Sequence, residues 1–132
     1  MGSRGASSGR RGGTQVFDRL RSDAENKAAV DAIMQAPAGS RIGVSWGGLG
    51  TYGTSLYEIT LRGMSKKELT PITSDGRRTN HRGVALSRAN VKKFTGIGKN
   101  ADRVEIATPG RNGKTGKLTH DYDNKSHTIR LF

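Results

Sequence analysis

Six basic side chains between residues 77 and 93 are the strongest chemical signal in the sequence. Three are arginines in a polar segment, and the other three recur at i, i+4 and i+5, the spacing of one helix face. Cations arranged in this way can neutralise successive phosphates and release their counterions. The alternative is a solvated basic face without a ligand. The clustering favours a polyanion-binding surface made of Arg77, Arg78, Arg82, Arg88, Lys92 and Lys93.

The charge of the whole chain points in the same direction. The sequence carries 23 Lys and Arg against 11 Asp and Glu, which gives a formal net charge of +12. Residues 62–99 hold ten basic and two acidic residues, so two-thirds of the surplus lies in this segment. A field of this sign attracts nucleic acid, an anionic membrane or an acidic protein. We therefore expect a polyanionic partner.

Two aromatic residues accompany a glycine-rich segment, Gly47 to Gly53: one directly precedes it and the other lies near its end. The segment is too glycine-rich for a strand ladder and long for a tight hairpin. An exposed aromatic ring beside cations can stack on unpaired bases. A tryptophan at the end of a strand is more often part of the core. Trp46 and Tyr52 are therefore candidate stacking residues, with a core role for Trp46 as the alternative.

His120 and His127 offer a different chemistry. A two-residue turn at 123–124 would place the two histidines opposite each other in a hairpin, and paired histidines can act as acid and base in RNA cleavage. The same register places Leu118 and Ile129 on their face, which favours a structural pair. We expect no catalytic residue, and a metal-independent ribonuclease remains an alternative.

Other motifs fall short of a site. Gly113-Lys114-Thr115 resembles the end of a phosphate-binding loop, but Thr108 occupies the position where that motif needs its first glycine. We expect neither a metal nor a small-molecule cofactor.

The chain has no cysteine, which suits a reducing cytoplasm, and no apolar run approaches the length of a membrane span. These features predict a cytoplasmic protein without a membrane partner.

Two helices and about five strands must position these residues. Ser22 and Glu25 form a capping-box pattern before a helix over 23–35, and Pro37 ends it. Ser87 is a candidate N-cap for a helix over 88–94 that would bury Val91 and Phe94. Alternating apolar residues predict strands at 41–46, 55–62, 103–107, 118–122 and 127–132. In the strand at 55–62, Tyr57, Ile59 and Leu61 lie on one face. A short edge strand is predicted at 69–72.

The predicted fold is a single small α+β domain over residues 14–132, with a mainly antiparallel sheet and two short helices. Residues 1–13 consist almost entirely of Gly, Ser, Ala and Arg and predict a flexible basic arm. Its arginines, Arg4, Arg10 and Arg11, are candidates for phosphate contacts.

The first nine residues, Met1-Gly2-Ser3-Arg4-Gly5-Ala6-Ser7-Ser8-Gly9, resemble the start of small accessory proteins of prophages and mobile elements of Gram-positive bacteria. That resemblance implies an accessory protein in a bacterial host cytoplasm that acts on nucleic-acid machinery, for example as an anti-CRISPR inhibitor. Together with the charge, it suggests a non-catalytic binder of RNA, DNA or a nucleoprotein complex. The alternative is an inhibitor directed at a bacterial nuclease such as a CRISPR effector.

Overall fold

The computed structural model describes residues 14–46, 53–73, 77–110, 118–122 and 125–129, and the predicted arm lies outside these residues. Both helices have the expected limits to within a residue. In chain order the elements are β1 (Thr14–Asp18), α1 (Asp23–Gln35), β2 (Arg41–Trp46), β3 (Gly53–Arg62), β4 (Lys66–Pro71), β5 (Val84–Ala85), α2 (Arg88–Thr95), β6 (Arg103–Ala107), β7 (Leu118–Tyr122) and β8 (Lys125–Ile129).

Six strands form an antiparallel sheet in the order β1-β6-β2-β3-β4-β5, and β7 and β8 form a separate hairpin. This arrangement confirms the α+β class with a mainly antiparallel sheet. β1 and β5 were not predicted from the sequence, because neither carries a buried alternating face. β1 is mostly exposed at one edge of the sheet, and β5 has two residues.

One face of the sheet packs against both helices and contains the main core. Ile42 on β2 lies between Tyr57 on β3 and Ile106 on β6, and all three side chains are buried. α1 contributes Ala29, Val30 and Ile33 to this core, and α2 contributes Val91. Because both helices lie on the same face, they are neighbours at its surface.

The opposite face carries β7 and several charged pairs. Leu118 of β7 packs near Gly43, where an added Cβ would lie 3.5 Å from the Leu118 side chain. Arg41 pairs with Glu58 at 3.1 Å, and Arg103 pairs with Asp18 at 3.1 Å. These arginines therefore stabilise neighbouring strands and are not part of a basic surface.

Two details of the sequence prediction, the burial of Phe94 and the edge position of residues 69–72, were wrong. Phe94 is 41% exposed, because α2 turns Val91 and Thr95, one turn apart, toward the core instead. Leu61 shares the face of Ile59, as predicted, and is 56% exposed near the end of β3. Residues 69–71 of the predicted edge strand belong to β4, which lies between β3 and the two-residue β5, and Ile72 forms an isolated bridge with Arg78.

Candidate functional site

The two helices lie side by side and run in opposite directions. Near the end of α1, Asp31 pairs with Arg88 at the start of α2. At the other end, the first turn of α1 and the residues after α2 line the same groove. The space between the helices is therefore open to solvent along much of α2.

Capping interactions fix both helices at their starts. Ser22 Oγ accepts a hydrogen bond from the Glu25 backbone N–H, and Glu25 accepts one from the Ser22 N–H, as the capping-box pattern predicted. Ser87 Oγ accepts a hydrogen bond from the Asn90 backbone N–H at 3.2 Å, which confirms Ser87 as an N-cap. These caps satisfy backbone donors that have no partner within the helix.

The C-terminal end of α2 is fixed from two sides. The Tyr57 hydroxyl donates a hydrogen bond to the Phe94 carbonyl at 2.6 Å, which ties the helix end to β3. Burial raises the pKa of the Tyr57 hydroxyl, which further favours the protonated form that donates this hydrogen bond. Gly96 ends the helix with a φ of +79°, a left-handed conformation that glycine adopts without a Cβ penalty. The orientation of α2 is therefore set by the sheet.

Between the helices lies an open groove of about 680 Å³, which we call the helix groove. Side chains and backbone from α1, α2 and the turn after α2 line it. Five of the lining residues are cationic and one is acidic. The complete lining consists of Asp23, Asn26, Lys27, Arg88, Ala89, Lys92, Lys93, Ile97, Gly98 and Lys99.

Two of the five cations are held by one carboxylate. Asp31 accepts a hydrogen bond from Lys27 Nζ at 3.0 Å, one helical turn away, and pairs with the Arg88 guanidinium across the helix interface. The Arg88 hydrogen bond, followed by that of Lys27, lowers the pKa of the Asp31 carboxyl below its ordinary value of 3.8. Asp31 therefore stays ionised at neutral pH and offsets part of the charge of these two side chains.

The other three cations of the groove are available to a ligand. Lys92, Lys93 and Lys99 are exposed, and within the described part of the chain none of them makes an ion pair. Because few acids face them, their fields add within the groove. This arrangement can bind a phosphate-bearing ligand.

The structure divides the predicted basic cluster into two parts. Arg88, Lys92 and Lys93 line the helix groove, as the helical spacing suggested. The three loop arginines lie in the connection between β4 and β5, where all are exposed, and they are not among the groove-lining residues. This loop cluster consists of Arg77, Arg78 and Arg82.

Of the predicted stacking residues, the structure describes Trp46. It ends β2 opposite Gly53 and is half-buried. Tyr52 lies outside the described residues, as do Arg4, Arg10 and Arg11 of the arm. Stacking by Trp46 stays a prediction.

The histidine pair has the predicted backbone register. His120 and His127 are directly opposite each other on β7 and β8. Their side chains lie outside the described part of the chain, so the chemistry of the pair stays a prediction. The residues that the structure describes contain no group of three or more His, Asp or Glu side chains placed to hold a metal.

Sequence reasoning missed three contributors to the groove. Lys27 lies in a near-neutral segment, and Lys99 follows the predicted helix, so neither was assigned to the cluster. Asp31 lies 57 residues from Arg88, a separation at which no local pattern signals a pair. The i, i+4 spacing of Lys27 and Asp31 was the one available signal.

Among the described residues, no helix is long and apolar enough to cross a membrane. Searches of protein-family models, curated proteins and solved structures with this chain found no match.

Proposed function

We propose that this protein is a non-catalytic nucleic-acid-binding protein that holds the phosphate backbone in the helix groove. The observation that carries the proposal is the convergence of five cations from both helices and the following turn on one groove. The net charge of +12 supplies a long-range attraction to the same class of partner.

The length of the groove favours a polymer over a single small anion. α2 has eight residues and a rise of about 1.5 Å per residue, so it extends about 12 Å. Charges along one nucleic-acid strand are about 3.4 Å apart in projection on the helix axis. The cations on α2 run from Arg88 to Lys93, about 7.5 Å at this rise, and so span about two phosphate intervals, with Lys99 beyond the helix end.

The loop cluster and the basic arm are secondary contacts in this proposal. The loop cluster lies on an exposed connection, whereas the groove brings cations together from separate elements. Concave sites concentrate the field and the contacts of a ligand. The loop and arm therefore add to affinity, and the groove sets where the backbone lies.

The cysteine-free sequence and the resemblance of its start to prophage accessory proteins support a place in a bacterial cytoplasm.

The proposal is tested by the salt dependence of binding to fluorescein-labelled DNA and RNA of about 20 nucleotides, single-stranded and duplex. The triple variant Lys92→Ala, Lys93→Ala, Lys99→Ala removes the three cations without an ion pair in the described residues. Each lost phosphate contact reduces the slope of log affinity against log salt by about 0.7 to 0.9. We expect the slope to fall by about two to three.

The matched control removes the same number of charges from the loop cluster through Arg77→Ala, Arg78→Ala and Arg82→Ala. We expect this variant to lose less than half as much slope as the groove variant. Equal losses would show diffuse attraction without a groove site. The proposal would be overturned if the chain bound none of the four nucleic acids but retained a protein partner from a bacterial lysate after nuclease treatment. That result would favour the nuclease-inhibitor alternative.

A further inference from the structure

The two edges of the six-stranded sheet differ in how well they are protected. β5, at one edge, is two residues long and is flanked by the exposed side chains of Arg82 and Arg88. Short strands and cations are two of the features by which proteins prevent sheet edges from pairing. β1, at the other edge, has five residues and contains no basic residue, proline or glycine. The β1 edge is therefore the one that can accept another strand.

The rest of the domain holds β1 in place as a strand. β6 pairs with all five of its residues, and no second strand of the described part of the chain lies beside it. The strand ends at Arg19, which has a φ of +54°, and the Leu20 N–H then donates to the Asp102 carbonyl at 3.1 Å. Backbone groups alternate in direction along an antiparallel strand, so half of those of β1 point away from β6. They form a ready template for one further strand.

The charges around β1 permit a second copy of this chain to approach there. Over most of the surface, the net charge of +12 makes two copies repel each other. β1 itself carries one charged residue, Asp18, and that carboxylate pairs with Arg103 of β6 at 3.1 Å. Val16, in the middle of the strand, is 46% exposed. Two copies can therefore meet at this edge with apolar contact and little repulsion between charges.

The sequence of β1 is complementary to itself in the antiparallel direction. A twofold axis centred on Val16 is the one arrangement in which all five residues of both strands are paired. It places Val16 opposite Val16 of the second copy, Gln15 opposite Phe17, and Thr14 opposite Asp18. No pair joins two like charges, which would oppose the association. A second copy therefore fits this edge along its whole length.

We infer that two copies of this protein pair through β1 and join their sheets into one continuous antiparallel sheet. The twofold axis that relates the two central strands is perpendicular to the sheet, and the same patch of each copy forms the contact. Both pairs of helices therefore lie on the same side of the joined sheet. Two strands of five residues bury less area than a standard interface of about 1,600 Å², so we expect a dissociation constant on the order of tens of micromolar.

Disulfide trapping tests the register directly, because the chain has no cysteine of its own. In the proposed pairing the two Val16 Cα atoms lie about 4.5 to 5.5 Å apart, within the range of about 4.4 to 6.8 Å that a disulfide spans. With oxidised glutathione as the oxidant, Val16→Cys at about 50 µM should form a cross-linked dimer at least about tenfold faster than Leu61→Cys. Leu61 is the matched control, because it is also apolar and 56% exposed but lies on β3, three strands from β1.

Sedimentation velocity measures the pairing without a cross-link. The protein is treated with nuclease and studied from about 5 to 200 µM in about 0.5 M salt, which screens the repulsion between copies. The parent protein should change from monomer to dimer over this range. Val16→Lys should stay monomeric, because it places two cations opposite each other at the axis. Leu61→Lys makes the same change in charge and should dimerise like the parent, and both variants should melt within about two degrees of it, since both positions are exposed.

A parent protein that stays monomeric at the highest concentration would overturn the inference. A dimer that persists in Val16→Lys, or equal cross-linking rates of Val16→Cys and Leu61→Cys, would also overturn it, since either result would place the contact elsewhere. Because neither measurement contains nucleic acid, these outcomes leave the proposed function unaffected. Failure of the protein to bind nucleic acid would, in turn, leave the pairing through β1 intact.

Discussion

Replacing Asp31 with asparagine should tighten nucleic-acid binding, although the residue lies beside the helix groove and not in its lining. Asp31 holds Lys27 at 3.0 Å and pairs with Arg88, and both cations line the groove. In the free protein this carboxylate competes with any phosphate for the same two donors. The Asp31→Asn variant would keep the shape of the side chain and remove the competing charge.

The size of the effect follows from the geometry. A phosphate on the far side of the Lys27 ammonium would lie at about twice the observed 3.0 Å separation, near 6 Å from the Asp31 carboxylate. Removing a unit charge at that distance in water changes the affinity of a single anionic group by about threefold. Release of the two cations raises the expected gain to about five- to tenfold at about 50 mM salt.

Salt dependence provides the second readout. If one or two additional cations reach phosphates, the slope of log affinity against log salt should become steeper by about 0.7 to 1.8. The gain should shrink as the ionic strength rises, because the screening length falls to about 8 Å at 0.15 M salt. Both quantities can be measured by fluorescence anisotropy with one labelled oligonucleotide.

Asp18→Asn is the matched control. It makes the same change in net charge and also breaks a carboxylate–arginine pair, with Arg103 at 3.1 Å, but it lies on the edge strand β1. If binding responds to total charge alone, the two variants will gain equally. If Asp31→Asn binds no more tightly than Asp18→Asn, phosphates do not occupy the helix groove.

Three further predictions concern the fold that holds the groove. Tyr57→Phe removes the hydrogen bond to the Phe94 carbonyl and should lower the free energy of unfolding by about 1 kcal/mol, measured by urea titration. Gly96→Ala places a Cβ in the left-handed conformation at φ +79° and should lower it by about 1 to 2 kcal/mol in the same assay. The Arg21 backbone N–H is the first of several hydrogen-bond donors that lower the pKa of Glu25. The stabilisation that ionised Glu25 gives to the fold is therefore complete above pH 4.5, and it is lost as the pH falls below that value through the lowered pKa. Glu25→Gln should therefore show a shallower loss of melting temperature on acidification.

The sequence predicted elements where local signals agree. The capping box at Ser22 and Glu25 fixed the start of α1, and the alternating residues of Arg41–Trp46 identified β2. Ser87 was identified as an N-cap for the same reason, since the pattern lies within four residues. These features depend on contacts between near neighbours in the chain, which a single sequence displays directly.

The parts that the sequence did not predict depend on distant contacts. β1 has two adjacent apolar residues, Val16 and Phe17, without an alternating pattern, and it becomes a strand because it pairs with β6, about 90 residues later. Phe94 was expected in the core, but the sheet sets the rotation of α2 so that Thr95 occupies the inner position instead. The sequence also did not predict that Lys27 and Lys99 line one groove, because antiparallel packing of the two helices brings these distant residues together.

The charge of the chain overstates the number of cations that can bind a ligand, and the structure divides them by what they contact. Arg41 and Arg103 pair with carboxylates on the sheet, and Lys67 is bound to carbonyl oxygens at the end of α1. Such cations are already paired or hydrogen-bonded, so a phosphate would have to displace an existing partner at a cost in stability. Lys92 and Lys93 have no such partner in the described residues, and a phosphate that binds them replaces water alone. The affinity of specific binding should therefore depend on this small set of groove cations. The remaining charge should contribute more to the rate of encounter than to the position of the bound strand.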